Sequence, residues 1–193
     1  MGSLRNLFVA FALTPLVVLG QEELSLAEPA FTPDSVLAGI HLCDTVSTIK
    51  VLGMIQFVDL IDDHRDMPRI SFCNADTTEV LTVFAHYGSF ADQYSEFRLS
   101  QGTGDAIRSA LPVEHFTSGR SVVLGMSEQA VIGVFGAPGF RGERNDGSVD
   151  LRYSIANLKG AGYLERCNYP SYYAIFTFSK GELATYRFGF ESP

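Results

Sequence analysis

The chain has 193 residues, of which 46% are hydrophobic and 12% aromatic, and its formal net charge at pH 7 is −8. That apolar content is enough for a packed core, which excludes wholesale disorder, and so acidic a surface repels nucleic acid and anionic lipid. The densest basic cluster, Arg141 with Arg144, is interrupted by Glu143 and Asp146, so no nucleic-acid partner is expected.

Residues 1–20 read as a cleavable secretory signal. Arg5 precedes an apolar run over 7–19, and Val18 and Gly20 occupy the −3 and −1 positions before Gln21. A bilayer span needs roughly 20 apolar residues. This run is shorter and is broken by Thr14 and Pro15. No cysteine lies near the expected cut, so neither a lipid anchor nor stable membrane insertion is expected, and the mature chain is expected to be soluble and periplasmic or secreted. Losing Arg5 makes the charge one unit more negative. The roughly 170 residues that remain suit one compact domain, or two small ones sharing a sheet.

Residues 21–36, with Pro29 and Pro33, read as a flexible lead-in. Asp44 then caps a helix that offers Val46, Ile49, Val51 and Leu52 for burial and is closed by Gly53. A strand is expected over 54–61, a turn over 62–66, a strand over 70–73 and a turn over 74–76. The alternating segment 79–86 reads as a strand that turns at 87–89 and returns over 90–99. Residues 101–113 read as a linker, with a short helix over 105–110 ahead of Pro112. Ser127 caps a second helix, with Val131, Ile132, Val134 and Phe135 on its apolar side, and Gly136, Pro138 and Gly139 stop it. A polar loop over 141–148 follows, then strands over 149–154, 163–167, 172–178 and 182–190, the last two joined by the tight turn at 179–181.

Residues 127–136 echo residues 44–53: a capping residue stands nine positions before a glycine in both. When the closing hairpins are aligned on Gly88 and Gly181, Val83 meets Phe176, Ala85 meets Phe178, Phe90 meets Leu183 and Phe97 meets Phe190. Each pair is apolar. The spacing predicts a duplicated unit, with repeat 1 over 37–100 and repeat 2 over 114–193.

The opening of the second copy, Leu124-Gly125-Met126-Ser127-Glu128 with Val131, Gly136 and Pro138, resembles that of the small outer-membrane-assembly lipoprotein domain. The same opening starts each repeat of the secreted β-lactamase inhibitor proteins. Residues 174–183, A-I-F-T-F-S-K-G-E-L, are similar to the hairpin that ends such units. In the first copy Cys43 stands near the place of the opening glycine, and Met54 and Ile55 stand where the proline would be. The resemblance implies an α+β fold of two tandem helix-plus-antiparallel-sheet repeats, β-lactamase-inhibitor-protein-like, with a concave sheet used for protein binding. No inhibitory residue carries over, because the inhibitor's contact loops do not align with this chain.

Three cysteines in an oxidising compartment allow one disulfide and leave one thiol. Cys43 with Cys73 is the favoured pair, closing a loop of about 30 residues worth about 3 kcal/mol; Cys73 with Cys167 is the rival. His41, Cys43 and Cys73 lack the paired short spacings of a zinc site. The acidic group Asp59, Asp62, Asp63, His64 and Asp66 has the chemistry for a divalent ion or acid–base work, but aspartates are also ordinary turn residues. Ser121, Ser127 and Ser148 lack a nucleophile elbow, His86 and His115 stand isolated, and the glycines at 136 and 139 follow a helix instead of opening one. No cofactor is expected. The second copy is rich in tyrosine, a residue suited to interfaces. Within it, Tyr163, Tyr169, Tyr172 and Tyr173 are the candidate binding residues, with Tyr172 and Tyr173 facing opposite sides of a strand. The expected function is an exported protein-binding module, of inhibitor or envelope accessory type, for another exported or envelope protein. The alternative is a small hydrolase or metal-dependent enzyme using the turn from Asp62 to Asp66.

Overall fold

The two helices are built alike from local chemistry. Helix α1, Thr45–Leu52, is capped by Asp44, whose carboxylate accepts the Ser47 N–H at 2.9 Å; Gly53, at φ 76°, returns its N–H to the Ile49 carbonyl at 3.0 Å. Helix α2, Glu128–Phe135, is capped by the Ser127 hydroxyl, which accepts the Ala130 N–H at 3.3 Å, and Gly136, at φ 81°, donates to the Ile132 carbonyl at 2.8 Å. In both, a left-handed glycine ends the helix at little steric cost. This computed structural model describes residues 31–62, 67–86, 90, 93–102, 107–159 and 161–191.

A small hairpin, β1 (Val36–Leu37) with β2 (Ile40–His41), precedes α1. The remaining strands are β3 (Arg69–Cys73), β4 (Glu79–Phe84), β5 (Glu96–Gln101), β6 (Ile107–Ala110), β7 (Phe140–Glu143), β8 (Val149–Ile155), β9 (Tyr172–Ser179) and β10 (Glu182–Phe190). Among the described residues they form one eight-stranded sheet in the order β6-β3-β4-β5-β10-β9-β8-β7. Neighbours pair antiparallel except β3 with β6. The protein is therefore α+β with a mostly sheet core, and the strands before α2 meet those after it at one seam, β5 against β10.

That seam is tight. Phe97 faces Phe188 across it, their rings edge to face at 5.5 Å, and Arg98 faces Arg187. Gly189 faces Glu96, and a Cβ at Gly189 would lie 2.6 Å from the Glu96 Cα.

Strand alternation sends every second residue to the core. Phe72, Leu81, Leu99, Tyr186, Phe176 and Leu151 are register partners in one row, and all are buried. Helix α2 covers the second half of this face through Phe135, whose ring packs against Phe176 at 5.0 Å and Tyr153 at 5.6 Å.

Several expected elements differ. The segment read as a strand over 54–61 holds a 3-10 turn, Phe57–Asp59, because the Asp59 carboxylate accepts the Gln56 N–H at 2.9 Å and folds the chain back. Only Ile61 retains sheet pairing, a bridge to Arg69. The expected linker helix over 105–110 is instead strand β6, drawn along the free edge of β3. The expected loop after α2 contains β7, and residues 164–167, expected within a strand, form a 3-10 turn. The return strand begins at Glu96, later than expected. The end of the lead-in is core: Phe31 is 7% exposed and packs against Tyr153 at 5.2 Å, while the buried Asp34 carboxylate accepts the Arg120 N–H at 3.1 Å. The signal, most of the lead-in, the turn at 87–89 and Asp63 to Asp66 lie outside the described residues. Among the described residues no helix is long and apolar enough to cross a membrane.

Candidate functional site

The face of the sheet opposite α2 carries a row that composition does not announce. Thr82, Arg98, Arg187, Ile175, Arg152 and Phe140 are successive register partners from β4 to β7. Each flanks an apolar residue of the core row, so alternation sends all of them to the other side. Three arginines thus line up across a chain whose net charge is negative.

Their environment fixes them. Arg98 and Arg187 both lie over the Phe84 ring at 5.3 Å, and Arg152 lies over Phe140 at 5.6 Å. Such stacking favours guanidinium over ammonium. Glu96, 1% exposed, accepts from the Arg187 Nε at 2.6 Å and from the Tyr173 hydroxyl. Burial pushes the Tyr173 phenol well above its ordinary pKa, and the Glu96 carboxylate beside it pushes it further. The phenol therefore stays protonated and remains a donor. Asp150, also buried, accepts from the Arg144 Nη2 and from the Thr177 hydroxyl, both at 2.8 Å, with Arg152 3.8 Å away.

In the second half these groups border a depression of about 600 Å³, lined by Phe140, Arg152, Ser154, Tyr173, Ile175 and Arg187. Phe140 is 53% exposed and the Arg152 side chain 55%, so the rim is accessible. The arrangement can present guanidinium groups to a carboxylate, with Phe140 and Ile175 giving an apolar floor beside them. On the same face of the first half, a smaller hollow of about 110 Å³ is bordered by Arg69, Thr82 and Arg98.

Of the four tyrosines singled out from sequence, Tyr173 alone lines this depression. Tyr172 points the other way and is wholly buried. Tyr163 donates its hydroxyl to the Leu42 carbonyl at 2.6 Å, and Tyr169 stacks on Phe190 at 4.6 Å. Both therefore hold the fold together. The cysteines are placed differently from the favoured pairing. Cys43 lies beside Cys167, Cys73 is buried at the end of β3 with its Sγ 3.9 Å from the Ser109 carbonyl, and all three are free thiols.

The arginines of the row were missed as a group, though each left a trace in the sequence: Phe97-Arg98-Leu99, Leu151-Arg152-Tyr153 and Tyr186-Arg187-Phe188 set a cation between two apolar residues. That is the period-two signature of a strand with one buried face.

Two polar pairs also went unseen. His86 Nδ1 hydrogen-bonds the Ser95 hydroxyl, but the two residues are 6% and 1% exposed, and the Tyr169 ring lies 4.8 Å from the imidazole. No substrate reaches that serine in this conformation. His115 Nδ1 is 2.8 Å from the buried Glu79 carboxylate, which also accepts the Phe116 N–H at 2.8 Å and so fixes the loop after β6. Among the described residues no three His, Cys, Asp or Glu side chains gather as a metal site would need. Asp59, from the acidic group, is 2.9 Å from Arg108.

No family model, curated protein or solved structure matches the chain. A functional reading rests on its own geometry.

Proposed function

We propose that this chain is an exported binding protein in which two tandem helix-plus-sheet units, of the β-lactamase-inhibitor type, share one sheet. The face away from the helix core takes an acidic, partly apolar segment of another extracytoplasmic protein. The observation that carries the reading is the row of Arg98, Arg187 and Arg152 set among Phe84, Ile175 and Phe140. Guanidinium forks pair with carboxylates in two parallel hydrogen bonds, and the adjacent apolar surface adds area that a purely ionic site lacks. In a chain of net charge −8, a local basic face also orients an incoming acidic segment.

The duplicated architecture is supported by the matched caps and glycine stops of α1 and α2. It is supported further by Cys43, at φ 58° just before the first cap, and Gly125, at φ 84° just before the second. A left-handed residue precedes each helix, which accounts for a cysteine standing near the expected glycine. The export reading rests on the leader-like residues 1–20.

The test is capture of partners from the chain's own envelope extract, with identification by mass spectrometry. Arg152→Glu and Ile175→Asp are the comparison proteins. A central interface side chain is worth about 2 kcal/mol or more, so each variant should lose the partner while keeping its melting temperature within about 2 °C. Equal capture by the parent and both variants, or no specific partner for the parent, would overturn the reading.

A further inference from the structure

The 3-10 turn Leu164–Cys167, in the second half, docks on the backbone just ahead of α1 in the first. The Tyr163 hydroxyl donates to the Leu42 carbonyl at 2.6 Å, the Cys167 Sγ lies 3.9 Å from the same oxygen, and the Tyr163 ring is 5.8 Å from that of His41. Leu42 precedes Cys43, and these contacts bring the Cys43 and Cys167 thiols into a hydrogen bond with each other. The backbone of Cys43 is held firmly. Its N–H donates to the Tyr94 carbonyl at 2.7 Å, and its carbonyl accepts from the Gln93 side chain at 3.2 Å. That anchoring sustains a left-handed φ of 58°, uncommon for a residue with a Cβ. Both thiols are half-buried at the edge of the core, whereas Cys73 is 4% exposed at the far end of β3.

We propose that Cys43 and Cys167 form an oxidation site that closes to a disulfide stapling the two halves of the protein, leaving Cys73 as the residual thiol. The reaction needs a disulfide oxidant, R–S–S–R. The Cys167 thiolate attacks one sulfur of the oxidant, forming a Cys167–S–S–R bond and expelling R–S⁻. Cys43 then loses its proton and attacks the Cys167 sulfur, forming the Cys43–Cys167 bond and expelling the second R–S⁻. The two cysteines lose two electrons and two protons, and the oxidant leaves as two thiols. The order follows from the shared hydrogen bond: it holds the Cys167 thiol below its ordinary pKa and, together with burial, pushes Cys43 up, which makes Cys167 the better thiolate.

The closed loop would run from 43 to 167 and take in most of the chain, so it would restrict the unfolded state more than the pairing favoured from sequence.

The experiment uses the purified chain treated with oxidised glutathione, alkylated and digested with trypsin. Cleavage after Lys50, Arg69, Arg98, Arg166 and Lys180 puts the three cysteines on separate peptides. The expected product links residues 167–180 to the peptide ending at Lys50, with residues 70–98 alkylated at Cys73. Reduction should lower the melting temperature by about 10 °C. Cys73→Ser should keep the link, while Cys43→Ser and Cys167→Ser should each lose it and melt like the reduced parent. Three alkylated cysteines after oxidation, glutathione adducts alone, a link that includes Cys73, or a link between two chains would each overturn the proposal.

Discussion

Glu96→Ala probes whether the carboxylate beneath the seam holds the arginine row in place. The Glu96 side chain is 2% exposed and accepts from the Arg187 Nε and from the Tyr173 hydroxyl. Breaking a buried ion pair by removing one partner costs about 3–5 kcal/mol. The Arg187 side chain is 33% exposed, so water can reach its guanidinium, and the ionic part falls to about 2–3 kcal/mol. The lost Tyr173 hydrogen bond adds about 1 kcal/mol. At roughly 2–4 °C per kcal/mol for a chain of this size, the melting temperature should fall by about 10 °C, as read by circular dichroism or calorimetry. Glu96→Gln keeps an acceptor oxygen and should lose about half as much. Adding Arg187→Met to Glu96→Ala should recover part of the loss, because it removes the cation left without its carboxylate. An alanine variant that melts within about 2 °C of the parent would refute the buried triad.

Gly189→Ala drives a Cβ to 2.6 Å from the Glu96 Cα, and backbone cannot swing aside as a side chain does; refolding yield and melting temperature should both drop sharply, and a variant that melts like the parent would deny the close seam. Tyr172→Ala should cost about 3–5 kcal/mol by emptying a wholly buried site, whereas Tyr173→Phe removes only a hydroxyl and should cost about 1 kcal/mol; denaturant titration separates the two. Burial holds the His86 imidazole below its ordinary pKa of about 6.5, so the unfolded chain takes up that proton first and stability falls as pH drops below about 6.5, levelling off below the folded value. His86→Phe should flatten that part of the stability-against-pH curve; an unchanged slope between pH 5 and 7 would show that His86 is not its source.

The sequence was most legible where a local rule decides the outcome. Asp44 and Ser127 each stand three residues before the backbone N–H they cap, and Gly53 and Gly136 end the helices, so α1 and α2 fall where spacing placed them. The strands from 149 onward were legible because their alternation is strict: Leu151, Tyr153, Ala174, Phe176, Phe178, Tyr186 and Phe188 are all buried. The segment over 54–61 misled because its apolar run leaves Met54 77% and Val58 86% exposed; one aspartate capping a turn outweighed the run. Strand β6 could not be read locally, since Ile107–Ala110 is a strand only because the edge of β3 offers hydrogen bonds that come from elsewhere in the chain. The Cys43 and Cys167 contact is likewise tertiary, made by a turn that docks across the two halves.

The arginine row shows why a binding face is harder to read than the core behind it. Each arginine is legible in its own strand as a polar residue between two apolar ones, but their alignment depends on the β5–β10 register, which joins strands more than eighty residues apart in the chain. That register also links stability to recognition. Arg187 is turned onto Phe84 and tied to Glu96, so much of the roughly 2 kcal/mol of rotamer entropy carried by an arginine is lost on folding instead of on binding. Changes at Glu96, Arg187 or Gly189 should therefore weaken fold and recognition together. Arg152 and Ile175 lie away from the seam, at the depression, with Arg152 more than half exposed; substitution there should touch recognition alone, which makes these two positions the ones that separate a binding face from a stabilising one.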